Sequence, residues 1–328
     1  MLPIPLGMLC LGEKRSCGPG ARPSSYGHGS DCWKAAGKES RLTHIMIAPP
    51  AQEYIREQAY VPEHVIPLMV GISQAEPFFQ EDFLLFLKDD WMIFVGYPLG
   101  REFEGEAFSR VLDKMQKNFQ PATTWFIAPD IPAGLLPRVR EKEVDEYYKL
   151  DLRDSGVKRS LQREVEKAAL VLRVEKNRVW SPEHESLTRE FLAKENLPPR
   201  VEKLYLRIPQ VLAQSETSLV LSARDSEGNL SAFFVVETGA QKFATYVVGC
   251  YSQSHYVSHA SDLLFHEMIR LAEENQKEYI HLGLGVNEGI RRFKRKWGGG
   301  PYLPYSAGEI TPGEKTTLSW LRALSSRL

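Results

Sequence analysis

The chain is poor in cysteine, and what it has is badly placed for cross-linking. Of its 4 cysteines, Cys10, Cys17 and Cys32 fall before residue 46, and Cys250 alone lies in the part built to fold. No Cys or His pair stands at zinc-ligand spacing from Cys17 and Cys32, and one thiol in the folded part implies a reducing compartment rather than a disulfide scaffold. No apolar run reaches the ~20 residues needed to span a bilayer, so the expectation is a cytoplasmic protein without a transmembrane segment. Charge of either sign is not in excess: 41 Lys and Arg against 42 Asp and Glu leave a formal net charge of -1. A chain-wide attraction to nucleic acid is thereby excluded, and only local basic patches remain to be weighed. Long helical hairpins are missing too, because no heptad run is sustained.

What is present divides into four parts. Residues 1–45 contain MLPIPLGMLC, which lacks both a basic segment before it and a small-residue cleavage site after it, so it does not read as a signal peptide. The Gly-, Ser- and Arg-rich stretch that follows has little to bury, and we expect a disordered leader or an extension upstream of a true start at Met46. Residues 46–140 form a first unit. Two apolar runs, 83–87 and 91–97, flank Lys88-Asp89-Asp90 and predict a β-hairpin. Phe108, Val111, Leu112, Met115 and Phe119 then recur at helical spacing over 104–119, and 123–128 reads as a strand. Pro129, Pro132 and Pro137 mark the exit.

Residues 141–310 form the second unit. A strand at 147–152 leads into a helix over 157–169 that points Leu161, Val165 and Ala168 inward and Arg163 and Lys167 outward. A strand at 171–174, a helix at 181–195 and a helix over 199–214 broken at Pro209 come next, then a meander of strands at 218–223, 230–238 and 242–250. The meander feeds a helix at 261–275, a glycine-closed strand at 279–285, a short basic helix capped by Asn287 and a last strand at 302–306. The tail, 311–328, reads as a short amphipathic helix, and oligomeric state is not legible from it.

The stretch Gly289-Ile290-Arg291-Arg292-Phe293-Lys294-Arg295-Lys296-Trp297-Gly298, arriving after that helix and strand, resembles the Phe-Lys-x-x-aromatic-Gly segment of the FemAB-like branch of the GNAT acyltransferase superfamily. The matching positions are Phe293, Lys294, Trp297 and Gly298. The resemblance implies an α/β fold with a mixed sheet and tandem GNAT-like halves, the N-terminal half degenerate and the C-terminal half carrying the donor site. It implies an N-acyltransferase that forms an amide on an amino acceptor, using acetyl-CoA, another acyl-CoA or an aminoacyl-tRNA and no metal. The acceptor would be a small or nucleotide-linked molecule, in the cell-wall members a peptidoglycan precursor, and tRNA would be a partner if the donor is an aminoacyl ester. It further implies two strands that splay apart, here those ending at Tyr251 and beginning at Tyr279, with donor phosphates at the N-terminus of the helix after the meander. In that loop Ser254, Ser258 and His259 are the donor contacts on offer. Residues 253–260 contain no glycine, unlike the usual acyl-CoA loop.

The chemistry picks out individual side chains. Acyl transfer needs a held carbonyl, a route for the amine proton and a cation or donors at the developing oxyanion. Lys294 is the candidate cation, with Phe293 beside it at the donor; the competing reading is a solvated basic face shared with Arg291, Arg292, Arg295 and Lys296. Phe293 and Trp297 also read as core. His281, mid-strand, is a candidate general base or a satisfied buried histidine, and Glu237, near a strand end, is a second candidate base. Arg163 and Lys167 stand one helical turn apart and suit an anionic acceptor or mere solvation. His259 and His266 lie seven apart without a completing carboxylate at ligand spacing, so no metal site is read. Two further classes stay open, a non-catalytic module that holds an anionic ligand through its basic helix and a nucleic-acid binder using residues 291–296.

Overall fold

The computed structural model of the protein describes residues 47–153, 158–195 and 199–310. The leader at 1–45 and the tail at 311–328 lie outside the described residues. Among the described residues an 11-stranded mixed sheet runs through both halves. Two short helices come first, α1 (Pro49–Gln58) and α2 (Ile66–Ser73), joined through a 3-10 turn at Pro62–His64. Next is the meander β1 (Glu76–Gln80), β2 (Phe83–Lys88) and β3 (Trp91–Val95), then α3 (Gly105–Phe119), and then β4 (Thr123–Ala128), parallel to β3. The long strand β5 (Val139–Asp151) leads into α4 (Arg159–Ala169), β6 (Arg173–Asn177) and the helices α5 (Pro182–Glu195), α6 (Pro199–Leu206) and α7 (Ile208–Gln214). The first pattern then repeats. A meander of β7 (Ser218–Arg224), β8 (Leu230–Glu237) and β9 (Phe243–Tyr251) is followed by α8 (Ala260–Glu274) and by β10 (Tyr279–Leu284), parallel to β9. Last come α9 (Glu288–Lys296) and β11 (Gly300–Ile310).

Meander, crossover helix and parallel strand thus occur twice, and this is the tandem GNAT-like arrangement expected from the sequence. The two halves are joined by the final strand. β11 lies between β4 and β5 and pairs antiparallel with both, so the sheet continues from one half to the other without an edge. The expected boundary at 140/141 falls inside β5.

Helices cover both faces. On one face, α1, α2, α5, α6 and α7 close a core that spans both halves, from Ile55 and Met69 through Leu84, Ile93 and Tyr147 to Phe191 and Ile208. On the other, α3 covers the first half through Phe108, Val111 and Leu112. There α4, α8 and α9 cover the second half through Leu161, Val165, Leu264, Met268 and Trp297. Strands covered on both sides are apolar throughout, which is why Phe83, Leu84, Leu85 and Phe86 are all fully buried in succession.

The two parallel seams differ. β3 and β4 stay paired along their length, from Trp91↔Thr123 to Val95↔Ile127, and Gly96 N then donates to Ile127 O at 2.6 Å. β9 and β10 pair at Phe243↔Tyr279, Ala244↔Ile280 and Thr245↔His281, and then part. Each strand carries a register shift there: β9 against β8 around Val247, and β10 against β5 at Leu282. An extra residue on one strand bends it away from its neighbour. Two bends at the same level open a wedge, and the opening belongs to the second half alone.

Gly96 keeps the closed seam closed. A Cβ there would fall 2.5 Å from the Phe108 ring and 2.6 Å from Ile127 O. Gly96→Ala is therefore expected to cost about 2 kcal/mol, read as a lower urea midpoint at unchanged m-value; an unshifted midpoint would mean that this seam has slack.

Candidate active site

The wedge between β9 and β10 opens toward the C-terminal ends of both strands, where α8 and α9 begin. Asn287 caps α9 as its sequence suggests, its side chain accepting from Ile290 N at 3.0 Å. That cap aims the helix so that Lys294 turns inward. Lys294 is only 6% exposed, its Nζ donates to Leu284 O at 2.5 Å, and it sits 5.2 Å from the centre of the Tyr148 ring. Burial pulls its amine down to about 7, against the attraction of Asp145 and helped by Arg291. The side chain is thus a desolvated amine at the free end of β10, able to hold or release a proton near neutrality.

Of the other basic residues of α9, Arg292 is exposed and three are occupied within the protein. Arg291 approaches Asp145 at 3.5 Å, Arg295 pairs with Glu288, and Lys296 binds Asp262 at 2.9 Å and Glu164 at 2.9 Å. Phe293 packs edge-on against Phe265 with centroids 5.3 Å apart, and Trp297 lies on the same ring at 4.8 Å. Both aromatic residues serve the core under α8.

The N-terminus of α8 holds its own anion. Asp262, in the first turn and 6% exposed, accepts from Lys296 Nζ and from Trp297 Nε1 at 3.1 Å, and faces His259 Nδ1 at 3.1 Å. His259, in the left-handed region at φ 64°, is turned to Asp262 and Glu164 and away from the loop. Glu164, His259 and Asp262 bring ligand-type atoms within 4.8 Å of one another, and Lys296 lies between the two carboxylates. Of the other loop candidates, Ser254 is exposed and shares a 3.0 Å contact with Ser252, Ser258 is exposed, and Tyr251 closes β9 half-buried with Tyr256 edge-on at 6.4 Å. Arg163 and Lys167 are exposed on α4, which packs on α8.

Glu237 is buried at the end of β8 with its lone pairs filled. Ser215 donates to it at 2.6 Å, Gly239 N at 2.7 Å, and Thr217 and Ser218 donate as well. Those four donors make it a structural anchor for the end of the meander; as a candidate base it has no free oxygen lone pair aimed at the wedge. His281 is fully buried, and its Nδ1 accepts from Gly283 N at 3.2 Å. Burial holds its imidazole well below the usual histidine value. A neutral ring that accepts at Nδ1 carries its proton at Nε2. His281 is therefore a donor at Nε2, and of its two sequence readings, general base or satisfied buried histidine, the general base does not suit it.

Two residues that went unnoticed in the sequence stand near His281. Glu63 and His64, in the turn between α1 and α2, are buried at 0% and 1% exposure. Tyr147 donates to Glu63 Oε1 at 2.9 Å, and His64 Nε2 lies 2.9 Å from Tyr97 O. Burial raises the Glu63 carboxyl to about 7 and lowers His64 to about 4. A signal was available: two charged residues inside the apolar run Val61 to Val70.

Fold and site together define a GNAT-like α/β architecture with a wedge open between β9 and β10 and a buried lysine at its end. No protein-family model matches the sequence, and no curated protein is similar to it in sequence. Solved structures do share the fold. The C-terminal domain of a protein described as a lysylphosphatidylglycerol synthetase, from Agrobacterium fabrum, superposes with TM-score 0.53 at 18% identity, over 82% of this chain and 93% of that one. L-PGS from Bacillus licheniformis gives TM-score 0.52 at 15% identity, over 84% and 96%. A tandem GNAT protein from the clavulanic acid biosynthesis pathway gives 0.44 at 14% identity, over 71% and 79%. Among the described residues, no helix is long and apolar enough to cross a membrane.

Two stability measurements check the electrostatics. Below pH about 7 Lys294 is protonated in both folded and unfolded chains, so the cost of burying it is present in full. Between about 7 and the ordinary lysine value near ~10.4, the unfolded chain holds a proton that the folded one has released, and stability rises with pH. Relative to Lys294→Met, the native protein should gain roughly 1.4 kcal/mol per pH unit across that window, measured by urea unfolding at pH 7 and 9; a flat difference would show that the amine is not desolvated. Glu237→Ala, which strips four donors of one anion, is expected to cost about 3 kcal/mol or more. A loss below about 1 kcal/mol would contradict the anchoring role.

Proposed function

We propose that the chain is an acyltransferase that forms an amide on an amino acceptor, the donor carbonyl lying in the wedge between β9 and β10. The observation that carries this reading is Lys294: a buried amine, poised near neutrality, at the end of the opening where backbone groups of both strands lose each other as partners. Backbone groups beyond the last β9–β10 pair offer the carbonyl oxygen hydrogen-bond partners. The Lys294 ammonium then offers a positive charge to the tetrahedral oxyanion and a proton to the leaving group. Leu284 O holds the amine in place before the donor arrives, so little reorganisation is needed.

For the donor, the observations favour an aminoacyl ester over an acyl-CoA. A diphosphate would seek the N-terminus of α8, but Asp262 already occupies that turn and is neutralised there by Lys296 and Trp297, and the loop before it lacks glycine. The internal pairing of Arg291, Arg295 and Lys296 and the burial of Lys294 leave Arg292 as the exposed cation of the basic helix, which weighs against a module that merely holds anions.

The test supplies the purified protein with acetyl-CoA and, separately, with aminoacyl-tRNA, and follows thiol release and ester consumption in the presence of a mixture of primary amines. Amine-dependent consumption of aminoacyl-tRNA, falling at least a hundredfold in Lys294→Ala, is expected. Consumption of acetyl-CoA alone would reverse the donor assignment, and inertness toward both would remove the transferase reading.

A further inference from the structure

Strand register lines up four polar side chains across the sheet. Glu237 pairs with Thr245, Thr245 with His281, and His281 with Lys149, on β8, β9, β10 and β5 in turn. Residues directly opposite one another project from the same face of a sheet. The face is that of the core under α1 and α2, because His281 packs edge-on to Tyr147 at 4.8 Å and Phe243 lies 5.8 Å away. The ends of the row are settled: Glu237 has its four donors, and Lys149 Nζ lies over the rings of Tyr302 and Tyr279 at 4.6 and 5.2 Å. The middle is not. Thr245 Oγ1 and His281 Nε2 have no hydrogen-bond partner in the protein, though both residues are 0% exposed.

A third such atom belongs to the same neighbourhood. Glu63 spends Oε1 on Tyr147, the ring that packs against His281, and its Oε2 is buried without a partner. Each buried polar group left unpaired costs about 1–3 kcal/mol, so three such atoms, on residues linked by the Thr245↔His281 pair and by Tyr147 between His281 and Glu63, call for partners. Their chemistry has a direction. His281 presents an N–H donor, Glu63 presents a carboxyl oxygen, and Thr245 can give or accept. They also have a location: Thr245 and His281 are the last paired residues before β9 and β10 part. On the opposite face the same level is apolar, with Ala244, Ile280 and Leu282.

Resting on the acyl-transfer reading, we infer that Glu63, Thr245 and His281 form the subsite that receives the amino acceptor. The amine donates to Glu63 Oε2 and Thr245 Oγ1, and a neighbouring carbonyl oxygen accepts from His281 Nε2. The ligand class is a primary amine with a carbonyl on the adjacent carbon, as in an amino-acid amide or the amino end of a peptide. The raised carboxyl of Glu63 suits it to take up a proton near neutrality. In the transfer step the amine nitrogen bonds to the donor carbonyl carbon as the carbon–oxygen bond of the ester breaks. The amine proton passes to the Glu63 carboxylate, the leaving alkoxide takes a proton from Lys294, and solvent returns a proton from Glu63 to Lys294.

Glycinamide is the probe, with propionamide as the isostere that lacks the amine, both titrated calorimetrically into the full chain. Saturable binding of glycinamide and none of propionamide is expected. Glu63→Gln, which can still accept from Tyr147, should weaken glycinamide at least about tenfold without lowering the unfolding midpoint, and Thr245→Val should weaken it independently, so that one misfolded variant does not decide the matter. No binding to the native protein, or equal binding to both variants, overturns the subsite. The two readings fail separately. Glycinamide binding in a protein that transfers nothing removes the transferase and leaves the subsite, whereas native-rate transfer in Glu63→Gln removes the subsite and leaves the transferase.

Discussion

Everything at the site depends on two parallel strands ceasing to pair. β9 and β10 share three register pairs and then separate, because each carries an extra residue at the same level. Backbone groups that lose a ladder partner inside a protein must find another, so the parting creates both a space and a demand for polar partners in it. The surrounding elements answer that demand. α9 is capped so that Lys294 turns to the carbonyl of Leu284, and the N-terminal turn delivers Glu63 and His64 to the opposite face.

The first half of the protein shows the alternative outcome of the same topology. Its parallel seam is paired throughout and sealed by Gly96 packing on Phe108. It offers no wedge, but it is not idle. Through β11, which pairs on both sides, it extends the sheet, and through Tyr97, whose hydroxyl donates to Pro304 O at 2.7 Å, it holds that joining strand in place. The helices before it roof the second half's site. A closed half that scaffolds an open one accounts for two repeats with one candidate centre.

Charge is arranged by the same logic of burial. The basic run of α9 reads as a solvated face, yet Lys296 reaches across to Asp262 and Glu164, Arg291 faces Asp145 and Lys294 is buried. Ion pairs that join α9 to α8 and α4 fix the wall of the wedge, and Lys294, buried against a carbonyl, has its proton loosened despite the attraction of Asp145.

Much of the chain declared itself in its periodicity. The hairpin of β2 and β3, the helix α3, the meander of β7 to β9 and the unit α8, β10, α9 follow from alternation, helical spacing, glycine stops and the Asn287 cap, all local properties. The missed elements broke those local rules for tertiary reasons. Residues 49–73 are rich in proline, and Pro49, Pro62 and Pro67 occupy first turns, where no N–H is needed. β1 contains Pro77 and is tolerated because it is the sheet's edge, and Pro301 and Pro304 fall where β11 has β5 alone as neighbour. By itself the sequence determined the order of elements from β2 onward, and its resemblance to a known family pointed to the tandem architecture and to Lys294. Tertiary structure alone decided that Glu237 is saturated, that His281 is a donor, and that Glu63 shares a neighbourhood with Thr245 and His281. Protonation, saturation and proximity are set by what lies across the sheet, from residues distant in the chain, and no local pattern encodes them.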